Sequence, residues 1–213
     1  MTDNFYERYW AERKDYLDDF ALKWPKLKPY IPKEKGMAIF DFGCGNGIIL
    51  KTIKSINPEA RLIGLDVSET ALSEARITLP EAEFYKITDG GQLPLKDKIA
   101  DFVFSSEVLE HIYDVENAFS EIARILKLGG RLLLTTPYHG LLKNILIALF
   151  SFNKHFNPAG PHIRFFTKKS LFSLLKKNGF EIRAHGYYGR FYPISHSIFV
   201  LAEKKKDSRG FLN

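Results

Sequence analysis

Directly after the apolar run Met37–Phe40, the chain reads DFGCGNG from Asp41 to Gly47, three glycines alternating with other residues. No other stretch limits the fold as much. It describes a strand running into a turn tight enough to need residues without a Cβ, with some ligand lying against the backbone. Three ligand classes compete for such a loop: a dinucleotide, a phosphate, or a group with no phosphate. A dinucleotide fingerprint spaces its glycines G-x-G-x-x-G, the third allowing close helix–strand packing, and that position here is Ile48. A phosphate loop needs a lysine and a hydroxyl in register after the glycines, and neither follows.

Acids stand where phosphate-binding features are missing. Asp41 precedes the glycines, and Asp66 ends the next apolar run 25 positions later (66 − 41). A carboxylate at a strand end can accept both hydroxyls of a ribose. Asp89 follows a third strand and can accept from an exocyclic adenine amine, while Gly90 lets backbone approach the ring. Any one of these acids alone reads as a helix cap or turn residue. Together, at successive strand ends beside a glycine loop, they suit a cationic nucleoside better than an anionic dinucleotide.

The rest of the chain alternates strand and helix, as in an open parallel sheet. The pattern predicts an N-terminal amphipathic helix from Phe5 to about Leu22, stopped by Pro25. It predicts strands at Met37–Phe42, Arg61–Leu65, Ala82–Ile87, Asp101–Ser105 and Arg131–Thr135. A helix follows the glycine loop, Ser68 caps the next, and a third over Val115–Lys127 stops at Gly129. Past Tyr138 an apolar segment, Leu141–Phe152, and a turn-rich stretch, Asn157–His162, interrupt the alternation at about 138–166, a place for a substrate lid. A helix capped by Thr167 and stopped by Gly179 resumes the pattern, and Phe180–His185 pairs with Ser197–Ala202 as a closing hairpin. We therefore expect one domain over 1–213, its core at about 37–137 and its C-terminal helix and hairpin at 167–203.

Composition narrows the function classes. With 213 residues, 45% hydrophobic and 26% charged, the chain suits one soluble α/β domain. Its net charge of +6 is spread over short lysine runs rather than one stripe, so nucleic acid is not the expected partner. One cysteine, Cys44, excludes an internal disulfide and suits a reducing, cytoplasmic compartment. Leu141–Phe152 is too short to span a bilayer, which takes ~20 residues. It reads as a core helix, a lid over an apolar substrate, or a peripheral membrane contact.

At this point the chain resembles the class I S-adenosylmethionine-dependent methyltransferases. The resemblance rests on FDFGCGNG, GLDVSETAL, TDGGQLPL, ADFVFSSEVLEHI and RILKLGGRLLLTTP, in family order, with HIRFFTKKSLFSLLKKNGFEI similar to the closing section. It implies a Rossmann-like three-layer sandwich around a seven-stranded, mostly parallel sheet with a reversed final hairpin strand. It also implies S-adenosylmethionine as cofactor and S-adenosylhomocysteine as product. Asp41, Gly43, Cys44, Gly45 and Gly47 would line the cofactor's amino-acid end, with Cys44 most simply a small side chain fitting the turn. Asp66 and Val67 would meet the ribose, Asp89 and Gly90 the adenine, and Ser105, Ser106 and Glu107 the methionine portion. Tyr6, Tyr9 and Trp10 either cover the cofactor or form the buried face of their helix.

Methyl transfer from a sulfonium needs alignment more than acid–base work, so a base matters only for a hydroxyl, thiol or acidic carbon. Glu107, Glu110 and His111 fall at i, i+3 and i+4, one face of a helical turn, where carboxylates and an imidazole could bind a divalent metal. That E-x-x-E-H arrangement resembles ubiquinone-pathway O-methyltransferases and small-RNA 2′-O-methyltransferases. EVLEH is also common in metal-free relatives, and packing near the cofactor is preferred, so no metal ligand is assigned. His139 is expected to face the cleft, with His162 and Arg164 approaching from the lid side; either His139 or His162 could act as base. The expected reaction is O-methylation of a small, partly apolar acceptor. The alternatives are ribose methylation of RNA and cofactor binding without catalysis.

Overall fold

The computed structural model describes residues 3–12, 20–156, 160 and 162–206. Two helices, α1 (Asp3–Glu12) and α2 (Phe20–Leu27), precede the sheet. The expected single helix from Phe5 to Leu22 runs partly through 13–19, outside the described residues. Pro25 lies inside α2 rather than ending it. A proline removes one intrahelical hydrogen bond, and the burial of Lys23 and Leu27 on one face of this short helix offsets that loss.

The central sheet has the order β3-β2-β1-β4-β5-β7-β6, with β1 Ala38–Phe42, β2 Arg61–Asp66, β3 Glu83–Lys86, β4 Ala100–Ser106, β5 Leu126–Pro137, β6 Phe180–Tyr188 and β7 Ser197–Lys204. The first five strands are parallel, and β7 runs antiparallel between β5 and β6. This is the seven-stranded sheet with a reversed hairpin strand expected from the sequence. Every residue of β1 is buried, as a strand covered on both faces requires. Phe40 and Phe42 pack on one face with Phe119, Ile122 and Leu171, from α5 (Val115–Ile125) and α8 (Lys168–Lys177). Ile39 packs on the other with Leu27, Leu50 and Leu72, from α2, α3 (Ile48–Ile56) and α4 (Glu69–Thr78).

Helix ends follow the local chemistry, with one exception. The Ser68 hydroxyl accepts from the Ala71 amide, and Thr167 forms a reciprocal capping box with Ser170, as expected. Gly179, at φ +83°, follows the last turn of α8. Gly129, however, does not stop α5. That helix ends at Ile125 and passes straight into β5, where Gly129, at φ +79°, lies in an irregular stretch beside a register shift.

Leu141–Phe150 forms α6, followed by the short α7 (Phe152–His155). None of the residues of α6 is buried, which removes the core-helix reading of this segment. Part of the turn-rich stretch, residues 157–159 and 161, lies outside the described residues. Among those described, no helix is long and apolar enough to cross a membrane.

Phe119→Ala should therefore lower unfolding stability by about 3–5 kcal/mol, because it empties a fully enclosed site. Leu149→Ala on α6 should stay within ~0.5 kcal/mol of the parent, as an exposed substitution does. Urea melts of both variants check the contrast.

Candidate functional site

Strand order reverses between β1 and β4, so their C-terminal ends splay and leave a crevice, the place where open α/β sheets bind ligands. A cavity of about 500 Å³ occupies it, within the range of ligand pockets. Asp41–Cys44 at the end of β1, Asp66 and Val67 at the end of β2, Ile87–Gly90 after β3 and Ser106–Val108 at the end of β4 line its walls. Tyr6, Tyr9 and Trp10 of α1 close it from outside.

The glycine loop is built for close approach. Gly43, at φ +81°, has no room for a Cβ, which would overlap the side chain of Val108. Gly45 and Gly47 do not line the cavity. Gly45 donates to Asp66 Oδ2 at 2.8 Å, tying the loop to β2, and Gly47, at φ +78°, starts α3. Cys44 is buried at the lining, and burial pushes its thiol well up.

Asp41 lies in the fourth position of β1, completely enclosed, and its Oδ2 has no hydrogen-bond partner among the described residues. Burial, and then the nearby charge of Asp66, push its carboxyl up to about 8, against the opposing pull of Lys23. Asp66 Oδ1 accepts from the Ser68 amide at 2.9 Å. Burial raises its carboxyl too, opposed by amides of Ser68, Gly45 and Val67. Asp89 is raised by partial desolvation and opposed by the Tyr113 amide.

The strand pleat separates the two serines of β4. Ser106 faces the cavity, accepting from Lys23 Nζ at 3.0 Å and bonding Thr135 Oγ1 at 3.0 Å. Ser105 turns the other way, is fully buried without a hydroxyl partner, and does not line the cavity, contrary to expectation.

The E-x-x-E-H segment does not form one helical face either. Glu107 takes φ +55°, outside the short 3₁₀ turn Leu109–His111. Its carboxylate accepts from Thr135 at 2.8 Å, Tyr188 at 2.7 Å and Ser197 at 3.4 Å. Glu110 is wholly buried behind the wall, and Thr136 donates to its Oε2 at 3.2 Å. Its Oε1 has no hydrogen-bond partner and lies 3.7 Å from His111 Nε2. Burial and the charge of Glu107 raise the Glu110 carboxyl well above the ordinary range.

His162 arrives from the opposite wall, its ring 4.9 Å from that of His111. Its side chain is exposed, and partial desolvation, then the neighbouring His111, hold it below the ordinary histidine value. Glu110, His111 and His162 each offer a ligand atom within 4.8 Å of the others, so they could hold a metal ion. Arg164 instead braces the turn: its side chain donates to the Ile112 and Tyr113 carbonyls and its amide to the Glu110 carbonyl. His139 is not at the cavity. It is buried with its Nδ1 3.1 Å from Asn144 Oδ1 and its ring against Phe165, and desolvation takes its pKa to about 4.

Three site groups escaped the sequence reading. Lys23 lines the cavity, and its position four before buried Leu27 on an apolar helix face was a usable signal. His196 lines it from the loop before β7, with no sequence signal at all. Glu7 reaches across from α1 to the start of α4, accepting from the Ser68 hydroxyl at 2.9 Å and the Glu69 and Thr70 amides at 2.8 and 3.0 Å. Desolvation acts to raise it, but these donors prevail and hold it down at about 2.

A methyltransferase-domain family model matches residues 9–185. The chain belongs to the methyltransferase family. This methyltransferase is similar to a probable S-adenosylmethionine-dependent methyltransferase of Mycolicibacterium smegmatis, 30% identical over 69% of this chain and 53% of the relative. It is also similar to a malonyl-(acyl-carrier protein) O-methyltransferase of Hahella chejuensis, 34% identical over 46% of this chain and 36% of the relative. The chain thus spans about half or less of the length of these curated relatives. In the complex between the Haloferax volcanii Trm112 methyltransferase activator and its methyltransferase, a chain matches with TM-score 0.78 at 17% identity, over 94% of this chain and 98% of that one. That likeness concerns the fold.

The family's cofactor is S-adenosylmethionine, and the residues present fit it. The enclosed Asp41 Oδ2, without a hydrogen-bond partner among the described residues, suits its ammonium group, and Gly43 lines the same cavity.

The Asp41 shift carries a sign. Its folded pKa, about 8, exceeds the ordinary aspartate value, so its stabilising contribution is complete below the lower value and is lost as pH rises through the upper. Pairing with an ammonium reverses the shift. Calorimetry at about pH 6.5 in buffers of different ionisation enthalpy should find nearly one proton released per S-adenosylhomocysteine bound. Asp41→Asn should abolish that release and weaken binding. Separately, Glu7→Ala should loosen α1 and raise the ligand's dissociation rate by about fivefold, as the loss of a helix cap worth ~1 kcal/mol implies; stopped-flow displacement reads it.

Proposed function

We propose that this methyltransferase transfers the methyl group of S-adenosylmethionine to an oxygen atom of a small, partly apolar acceptor. The observation that supports the reading is an imidazole pair, His162 with its ring 4.9 Å from that of His111, lining the same cavity as Ser106 and Glu107. S-adenosylmethionine supplies an electrophilic methyl group on a sulfonium. Asp41 holds the ammonium end, Asp66 takes the ribose hydroxyls, and Asp89 with Gly90 meets the adenine. Tyr6, Tyr9 and Trp10 cover the site and exclude water, so that alignment supplies most of the rate.

His162 is the candidate base. Its depressed pKa keeps the imidazole neutral at physiological pH and able to take the proton of an attacking hydroxyl. A divalent cation, were one bound, would be held by Glu110, His111 and His162 and would orient the acceptor oxygen. His139, packed away from the cavity, takes no part in this reading. Reading the acceptor as partly apolar is supported by the lining, where Ile49, Phe104, Val108 and Ile112 join the polar groups.

A screen with methyl-labelled S-adenosylmethionine against phenols, carboxylic acids and amines tests the reading. Label should pass to oxygen acceptors. His162→Ala should cut kcat for a hydroxyl acceptor by about 10²–10⁴ while leaving S-adenosylhomocysteine affinity near the parent value. Transfer to amines alone, or undiminished kcat in that variant, would sink it. Running the assay with a chelator adds the metal question: lost turnover restored by added cation would assign that role to Glu110, His111 and His162.

A further inference from the structure

α6 is exposed in an unusual way. Leu141, Ile145 and Leu149 form one row along the helix and Leu142, Leu146 and Phe150 the next, all exposed, Leu141 and Phe150 by 80% and 79%. The loop before β7 adds Phe191 and Tyr192, exposed by 73% and 62%. Exposed apolar surface this continuous marks an interaction face. The helix is not loose: Lys143 on its inner side donates to the His196 carbonyl at 2.9 Å, fixing it at the rim of the cavity that His196 lines.

What covers such a face is indicated by its charge. Between Glu121 and Glu203 the sequence contains a single acid, Glu181. Glu181 stands at the far end of β6, opposite Glu203, seven residues from Tyr188 (188 − 181). At ~3.3 Å per residue it lies roughly 23 Å down the strand from the end nearest α6. The cations of the same region stand at the α6 end of the sheet. Lys168 and Lys169 are exposed at the first turn of α8, directly after the Phe166 that bridges to Tyr138. Arg190 is exposed beside Phe191; desolvation, then the charge of Arg190, lower the Lys143 ammonium to about 8, against the pull of the inward-facing Glu107.

A broad apolar helix with aromatics beside it, bordered by cations and far from any carboxylate of its own half, matches the interfacial zone of an anionic bilayer. Apolar rows enter the headgroup boundary while cations meet lipid phosphates. We infer that this face is a docking surface for an anionic phospholipid membrane, with α6 as the element that enters it. The inference does not rest on the methyl-transfer reading, because it concerns a surface outside the cavity.

Flotation of the full chain with vesicles tests it, using phosphatidylcholine alone and phosphatidylcholine with about one third phosphatidylglycerol. The protein should float with the anionic vesicles, weakly with the neutral ones, and lose most anionic binding at about 1 M salt, where screening acts within ~3 Å. Leu149→Glu with Phe150→Glu should reduce partitioning at least tenfold. Lys168→Glu with Lys169→Glu should reduce it roughly fivefold per cation removed. Both double variants change exposed side chains away from the cavity, so their S-adenosylhomocysteine affinity should match the parent and serves as the check on folding. Absence of anionic-vesicle binding at low salt, or binding indifferent to the Leu149 and Phe150 changes, would overturn the inference. A parent that dimerises without binding vesicles, and becomes monomeric on those changes, would also overturn it and assign the face to self-association.

Discussion

A carboxylate enclosed in the middle of a sheet is the constraint around which this molecule is arranged. Asp41 lies level with Gly64 on β2 and Phe104 on β4, in a strand otherwise made of apolar residues. Burying such a group without a full set of partners is costly, and a fold keeps one there when a ligand completes it. The neighbours are shaped accordingly. Gly64 must lack a side chain because Phe84 and the Cys44 sulfur fill the space where a Cβ would go. That clearance lets the loop after β1 fold over the edge of β2, where the Gly45 amide meets Asp66. Lys23, brought in by a helix outside the sheet, supplies the balancing positive charge on the other side.

The two halves of the chain divide the work by charge. β1 to β4 deliver acids to the crevice, one set of carboxylates for a ligand with cationic and hydroxyl groups. The half that follows contributes imidazoles, hydroxyls and cations and almost no carboxylate. Under the proposed function, an acceptor entering between them would meet imidazoles at one side and the acids at the other. α6 is held to the same region through Lys143, which donates to the carbonyl of the cavity-lining His196.

Much of this was legible because local rules and tertiary ones agreed. The strands, the Ser68 and Thr167 caps and the closing hairpin follow from apolar runs and capping chemistry that the structure keeps. Errors fell where a local signal was outvoted. Gly129 looked like a helix stop, but the last turn of α5 is pulled directly into β5 by pairing of Leu126 with Ala100. Helical spacing grouped Glu107 with Glu110 and His111, yet the left-handed backbone at Glu107 sends its carboxylate to Tyr188 and Ser197, distant in sequence. His139 was placed by nearness to a strand end, and only packing against Phe165 and Asn144 determines which way it faces. His196 and Glu7 act across long sequence separations, for which one sequence holds no pattern.

Cys44 has a practical consequence. It is the one thiol in the chain, buried between the glycine loop and β2, with an elevated pKa that leaves little reactive thiolate. A thiol reagent can reach it only through the cavity it lines or when that loop lifts from the sheet. Its alkylation rate is therefore a measure of access to the cradle, readable without mutation. A ligand seated against Gly43 would slow that alkylation in proportion to its occupancy.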